Sequence, residues 1–214
     1  MDVTQAATRW AKGEPTAAKA ALASAFPHDD AWGPAGVIAE ARAALPEDAR
    51  ISVDSGAHRI LLSQMWPAPY PKAVIQSSGL CTMGCALPLA LGHAIAEPAR
   101  PAVAVMGDGC AEMVLGELAT LRDEARMDAA GPVVMVVLVD ASLALIEMKQ
   151  RRDQRPNAGV DYAAATDFAG LARLFGGHGE TAAGPGEVGP AFARALDAAR
   201  GEAGFAVLAI RIPR

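Results

Sequence analysis

Seven consecutive apolar residues, Val133-Val-Met-Val-Val-Leu-Val139, lie between Pro132 and Asp140. No polar residue interrupts them, so neither face of this segment is suited to water. That pattern belongs to a strand covered on both faces, as at the centre of a parallel sheet. The rest of the chain from Pro34 onward supplies what such a strand needs. Apolar spacing predicts helices over Ala35–Leu45, Gly56–Trp66, Gly84–Ala96, Ala111–Arg126, Leu143–Arg151, Thr166–Phe175 and Glu187–Arg200. Between them fall short strand candidates at Arg50–Val53, Ala73–Ile75, Ala102–Met106 and Phe205–Ile210. Alternating strands and helices predict an α/β fold, a mainly parallel sheet with helices on both faces. Ligands in such folds bind at the carboxyl ends of the strands.

A length of 214 residues suits one domain, or one domain with a tail. Residues 1–33 read as an arm or linker: an alanine-rich helical stretch, then Pro27, His28, Asp29, Asp30 and Gly33-Pro34. Residues 34–214 read as the domain. Forty-nine alanines inflate the 52% apolar content, which leaves enough larger apolar residues for a single core. A formal charge of −5 argues against a nucleic-acid grip on a basic surface. The longest apolar run is far short of the roughly 20 residues of a membrane span. The polar residues Asp2, Thr4, Gln5, Arg9 and Lys12 do not form the apolar centre of a signal peptide. Three cysteines cannot all pair, and their scarcity fits a reduced, cytoplasmic protein.

The sharpest local feature is Val103-Ala-Val-Met-Gly107-Asp108-Gly109-Cys110. A hydrophobic strand runs directly into Gly-Asp-Gly, and a helix follows. The glycines permit a tight turn and close backbone approach, and free N–H groups at a helix start can meet a phosphate. Alone, Gly-Asp-Gly is better read as a plain turn. Spacing alters that balance. Asp140 comes 32 residues after Asp108, directly behind the next strand, and a helix plus a returning strand fits in the interval. A right-handed crossover would then set both aspartates at one edge of neighbouring strands. Together with phosphate oxygens and water they could complete an octahedral Mg²⁺ site. The competing reading is two separate loop aspartates, each capping a helix.

These residues resemble the diphosphate-binding domain of thiamine diphosphate enzymes, most closely the acetolactate synthase group. That family has Gly-Asp-Gly, a helix, a hydrophobic strand and then usually Asn-Asn; here the last pair is Val139-Asp140. A second block, Ser77-Ser78-Gly79-Leu80-Cys81-Thr82-Met83-Gly84-Cys85-Ala86-Leu87-Pro88, resembles the family's Gly-Leu-Gly-Thr-Met-Gly-x-x-Leu-Pro. A third, Asp54-Ser55-Gly56-Ala57-His58, resembles its Asp-x-Gly-x-His. The resemblance covers residues 34–214. It implies thiamine diphosphate and Mg²⁺ as cofactors. It assigns the metal to Asp108, Asp140 and the main-chain carbonyl of Ser142. It assigns the cofactor to Gly56, Ala57, His58, Cys81, Met83, Gly107, Asp108, Gly109, Cys110, Asp140 and Leu143. Met83 would wedge beneath the cofactor, the Cys81 carbonyl would accept from its aminopyrimidine, and Cys110 would offer its N–H to phosphate. Leu143, Ile146 and Glu147 would face the roof of the site. Cys81 and Cys85 are better read as small packing residues than as a metal pair. His93 reads as structural, and His28 and His178 have no identifiable partner.

The resemblance also implies an activity: decarboxylation of a small 2-oxo acid, or acyloin-type carboligation. The glutamate that activates the cofactor in this family sits on a separate pyrimidine-binding domain. Glu40, Glu112 and Glu117 lie in the wrong domain for that role. The chain is therefore expected to be completed by a pyrimidine-binding subunit, in a homo- or hetero-oligomer, as in sulfopyruvate decarboxylase, or to be a piece of a longer enzyme. The alternative is a non-catalytic interaction or regulatory subunit that retains the fold; Asp140 in place of asparagine favours it.

Overall fold

The computed structural model describes residues 11–25, 32–127 and 129–213. Pro27, His28, Asp29 and Asp30, which carry the expected break after the arm's helix, lie outside these residues, as do residues 1–10. In chain order the elements are α1 (Glu14–Ala25), α2 (Pro34–Ala44), β1 (Arg50–Val53), α3 (Ala57–Met65), β2 (Val74–Gln76), α4 (Ala86–Ala96), β3 (Ala102–Gly107), α5 (Asp108–Glu112), α6 (Glu117–Arg126), β4 (Val133–Val139), α7 (Ala144–Arg152), α8 (Phe168–Leu174), β5 (His178–Ala182), α9 (Val188–Arg200) and β6 (Phe205–Arg211). The six strands form one sheet in the order β2-β1-β3-β4-β6-β5. Every pairing is parallel. The fold is therefore α/β.

β4 is central and buried along its whole length. Its residues divide strictly by parity. Val134, Val136 and Leu138 join one core with Val37 and Ile38 of α2, Leu62 of α3 and Phe192 of α9. Val133, Met135, Val137 and Val139 join the other, with Leu87 of α4, Leu118 and Leu121 of α6 and Phe168 of α8. Both faces being apolar is the reason the sequence shows no alternation there. α1 buries no residue. Trp32 packs against the first core, and its indole N–H donates to the Arg211 carbonyl at 2.9 Å.

Proline sits at the first helical position of α2 and the third of α4 and α9. In a first turn the missing N–H has no intrahelical partner to lose, so Pro34, Pro88 and Pro190 are tolerated.

Three expectations are corrected. The single helix over Ala111–Arg126 is two helices, α5 and α6, separated by a turn at residues 113–116. There Val114 N donates to Ala111 O and Glu117 N to Val114 O, tight three-residue bonds that re-aim the chain. The re-aiming lets α5 start on the site while α6 turns Leu118 and Leu121 onto the sheet. β5 is a strand that the apolar pattern did not disclose. Its sequence, His-Gly-Glu-Thr-Ala, buries only Ala182. As an edge strand it is held by pairing with β6, from His178 opposite Ala206 to Ala182 opposite Ile210. His178 has a partner after all, since its Nε2 lies 3.4 Å from Glu180 Oε2.

β5 and α8 approach so closely at Gly179 that a Cβ there would run into the main chain of Ala169. Backbone cannot swing aside as a side-chain tip can. Gly179→Ala is expected to cost about 2–3 kcal/mol. In a chain of this size that is a fall of very roughly 5–10 °C in melting midpoint, readable by calorimetry.

Candidate functional site

The carboxyl ends of β1, β3 and β4 lie side by side, and four sequence blocks separated by tens of residues meet there. The first follows β1. Asp54 is fully buried, and its carboxylate accepts from Ser55 N (2.8 Å), Gly84 N (3.0 Å) and Ala86 N (3.1 Å). One side chain thus ties the end of β1 to the start of α4 and fixes the segment carrying Met83. Ser55 adds a second link, its hydroxyl donating to the Cys81 carbonyl at 2.5 Å. Cys81 itself has a φ of 52°, and Gly84 a φ of 86°. A Cβ on Gly84 would also meet Val114 Cγ1 at 2.6 Å, so this turn requires glycine twice over.

His58 lies in the first turn of α3, with its ring between two glycines. A Cβ on Gly56 would stand 2.5 Å from its Cε1, and one on Gly107 3.7 Å from the same atom. Burial, only partly opposed by a bond to the Asp54 main chain, pushes its pKa down to about 4. The ring is therefore neutral at pH 7. Its Nε2 is buried and has no hydrogen-bond partner among the described residues. Unpartnered buried polar atoms are uncommon and call for a reason.

The second centre is the turn after β3. Asp108 opens α5, and its carboxylate accepts from Gly109 N (2.8 Å) and, across to the next strand, from Ala141 N (2.7 Å). Burial raises its pKa above the usual aspartate range, against the pull of these N–H groups. Asp140 follows β4 and accepts from Ser142 N at 3.0 Å. The crossover therefore sets the two aspartates beside each other at one edge of paired strands. Among the described residues no three His, Cys, Asp or Glu side chains converge to hold a metal. The candidate donors here are two carboxylates and main-chain oxygen.

Around this turn, Met83 Cε and Leu143 Cδ2 lie 3.5 and 3.0 Å from where a Cβ of Gly109 would stand. Gly56, Ala57, His58, Cys81, Met83, Gly107, Asp108, Gly109, Cys110, Asp140, Ser142 and Leu143 thus belong to one edge of the sheet. Cys110 is buried, and its thiol donates to the Ser55 carbonyl at 3.0 Å. Burial and the nearby Asp54 charge push its pKa up to about 12, so it stays protonated and unreactive. The roof residues divide. Ile146 is exposed, whereas Glu147 is buried: it accepts from Ser142 Oγ (3.0 Å), Asn157 Nδ2 (3.0 Å) and Arg151, holding the loop after β4 from behind.

Two residues here escaped the reading of the sequence. Asp54 was visible within its motif, but its role as a clamp on Gly84 and Ala86 was not. Tyr162 gave no signal at all, standing among alanines in an irregular stretch. Its main chain pairs with the loop after β4, and its hydroxyl reaches Gly109.

Comparison with known proteins bears on this edge directly. The sequence model of the thiamine pyrophosphate enzyme C-terminal TPP binding domain matches residues 54–210. The chain is 32% identical over 166 residues to the thiamine pyrophosphate-containing protein YdaP of Bacillus subtilis (strain 168), covering 76% of this chain and 27% of YdaP. It is 33% identical over 115 residues to the acetolactate synthase isozyme 1 large subunit of Escherichia coli (strain K12), 54% of this chain and 20% of that one. It is 28% identical over 181 residues to sulfoacetaldehyde acetyltransferase of Castellaniella defragrans, 85% of this chain and 29% of the relative. The chain thus spans less than a third of each of these relatives. The family implies thiamine diphosphate and, typically, a divalent metal such as Mg²⁺. With the match running from the Asp54 clamp to the last strand of the sheet, the chain belongs to the family of C-terminal TPP-binding domains of thiamine pyrophosphate enzymes.

Proposed function

We propose that this domain is the Mg²⁺- and diphosphate-binding half of a thiamine diphosphate enzyme acting on 2-oxo acids, by decarboxylation or acyloin-type carboligation. It would be completed by a pyrimidine-binding domain outside these 214 residues. The observation that carries the reading is the bond from Ala141 N to Asp108 Oδ2, which joins the turn after β3 to the loop bearing Asp140. Asp108, Asp140 and the main-chain carbonyl of Ser142 would hold the metal. The unpartnered Nε2 of His58 and the N–H groups of the Gly107–Cys110 turn would receive the diphosphate. Gly56, Ala57, Cys81, Met83 and Leu143 would line the remainder of the cofactor. Once bound, thiamine diphosphate supplies the nucleophilic carbon and the electron sink that 2-oxo acid chemistry requires. The activating glutamate would come from the pyrimidine domain. Leu80, 92% exposed beside Cys81, and the exposed Ile60 and Met113 offer apolar surface for such a domain. Co-expression with a candidate pyrimidine subunit, followed by a screen of 2-oxo acids for CO₂ release, tests the reading. No turnover and no Mg²⁺-dependent cofactor binding by the pair would reject it, leaving the chain an interaction subunit.

Asp140 offers a finer test. Asp140→Asn removes one negative charge near a strongly anionic ligand. Unit charges about 5 Å apart at an effective dielectric of about 20 interact by roughly 3 kcal/mol before screening. At millimolar Mg²⁺, where metal is saturating, the variant should bind the cofactor severalfold more tightly. At micromolar Mg²⁺ it should bind more weakly, because a neutral amide is a poorer ligand for Mg²⁺ than a carboxylate. Cofactor titrations at the two metal concentrations read both effects; identical behaviour to wild type at both would remove Asp140 from the site.

A further inference from the structure

Tyr162 belongs to none of the blocks that mark the site, yet it is anchored to two of them. Tyr162 N donates to Ala141 O at 2.9 Å, and Leu143 N donates to Val160 O at 2.8 Å. These bonds flank an antiparallel bridge between Ser142 and Asp161. The segment therefore lies along the same loop that carries Asp140. Four residues on, Thr166 Oγ1 donates to Glu112 Oε1 at 2.6 Å, tying the segment to the end of α5. Held from both sides, the Tyr162 ring reaches across the turn after β3. A Cβ on Gly109 would overlap its hydroxyl, and Leu143 and Met83 border the same space. Gly109 is thus the residue that leaves room for the phenol.

The surroundings of this hydroxyl are acidic: Asp108, Glu112 and Asp140 all act on it electrostatically. No described residue makes a hydrogen bond with it. As a phenol it is an O–H donor at neutral pH.

We infer that the Tyr162 hydroxyl is a further ligand-binding group of the site, donating a hydrogen bond to the diphosphate over the Gly107-Asp108-Gly109 turn. This rests on the proposed reading of that turn as a metal–diphosphate site. The phenol would supply a donor where Asp140 brings an additional negative charge. Because every contact involved lies in this domain, inorganic pyrophosphate with Mg²⁺ serves as a probe alongside Mg²⁺–thiamine diphosphate.

The test is calorimetry of the full chain, comparing wild type, Tyr162→Phe and Asp108→Ala with both probes. The phenylalanine ring fills the same volume, so the melting midpoint should hold while affinity for both probes falls by a similar factor, roughly tenfold. Ligand binding should also perturb the near-ultraviolet tyrosine absorbance of wild type, and that component should vanish in Tyr162→Phe. Equal or tighter binding by Tyr162→Phe, with binding lost in Asp108→Ala, would overturn the contact and leave the metal site standing. Wild type showing no Mg²⁺-dependent binding of either probe would overturn both.

Discussion

Asp108→Ala is expected to lower Mg²⁺-dependent binding of thiamine diphosphate by at least about a hundredfold, roughly 3 kcal/mol, while the domain stays folded. The aspartate stands at the start of α5, at the carboxyl end of β3, and joins the loop after β4 through Ala141 N. Without its charge, a diphosphate would face helix N–H groups and the Asp140 carboxylate, with no second carboxylate to hold the cation that separates them. The effect on stability should be smaller. Two N–H groups, of Gly109 and Ala141, lose an acceptor, at about 1–2 kcal/mol each. Against this, burial raises the folded-state pKa of Asp108. A carboxyl so shifted contributes stability fully below its unfolded pKa, and loses it as pH rises through the folded value. At neutral pH the ionised, metal-free carboxylate is thus itself unfavourable, and its removal offsets part of the lost bonding. Calorimetry with Mg²⁺ and cofactor in the presence of the partner subunit, next to a thermal melt of the chain itself, separates the two effects. Unchanged affinity would place the metal elsewhere.

Asp54→Ala should show the reverse pattern, a large loss of stability from a residue whose carboxylate is directed at the protein itself. It is 0% exposed and accepts three main-chain N–H groups, from Ser55, Gly84 and Ala86. These donors lie in the interior, so each one left without an acceptor costs about 1–3 kcal/mol. The sum should be about 3–5 kcal/mol, a fall of very roughly 10 °C in melting midpoint. The start of α4 would come loose from β1, and with it the segment holding Cys81, Met83 and Gly84. Asp54→Asn keeps one acceptor oxygen but turns an amide N–H₂ toward a backbone donor; it should fall between wild type and alanine. Denaturant titration gives the ranking, and an alanine variant as stable as wild type would remove Asp54 from its role as clamp.

What was legible in the sequence has a local physical origin. A strand covered on both faces can hold no polar residue, so Val133–Val139 announced the centre of the sheet, and β4 lies there. Strands that end in glycine and aspartate turns pointed to the candidate site edge, because tight turns and close backbone approach need particular residues at particular positions. β5 was not legible for the opposite reason. An edge strand beside β6 needs only main-chain pairing, and His-Gly-Glu-Thr-Ala has no apolar pattern to betray it. The break between α5 and α6 was hidden because helical spacing on either side continues plausibly through Met113–Gly116; only the different aims of the site turn and the Leu118 face demand it.

Local chemistry determined the architecture and the identity of the turn residues: periodicity, glycine and proline act over a few neighbours and can be read one segment at a time. Pairings across long stretches of chain were decided by the tertiary structure alone. Asp54 meets Gly84 and Ala86 across about thirty residues, and Tyr162 comes to rest over Gly109, more than fifty residues before it. Hydrogen bonding and steric fit depend on distance in space, and only the packed sheet with its crossovers sets those distances.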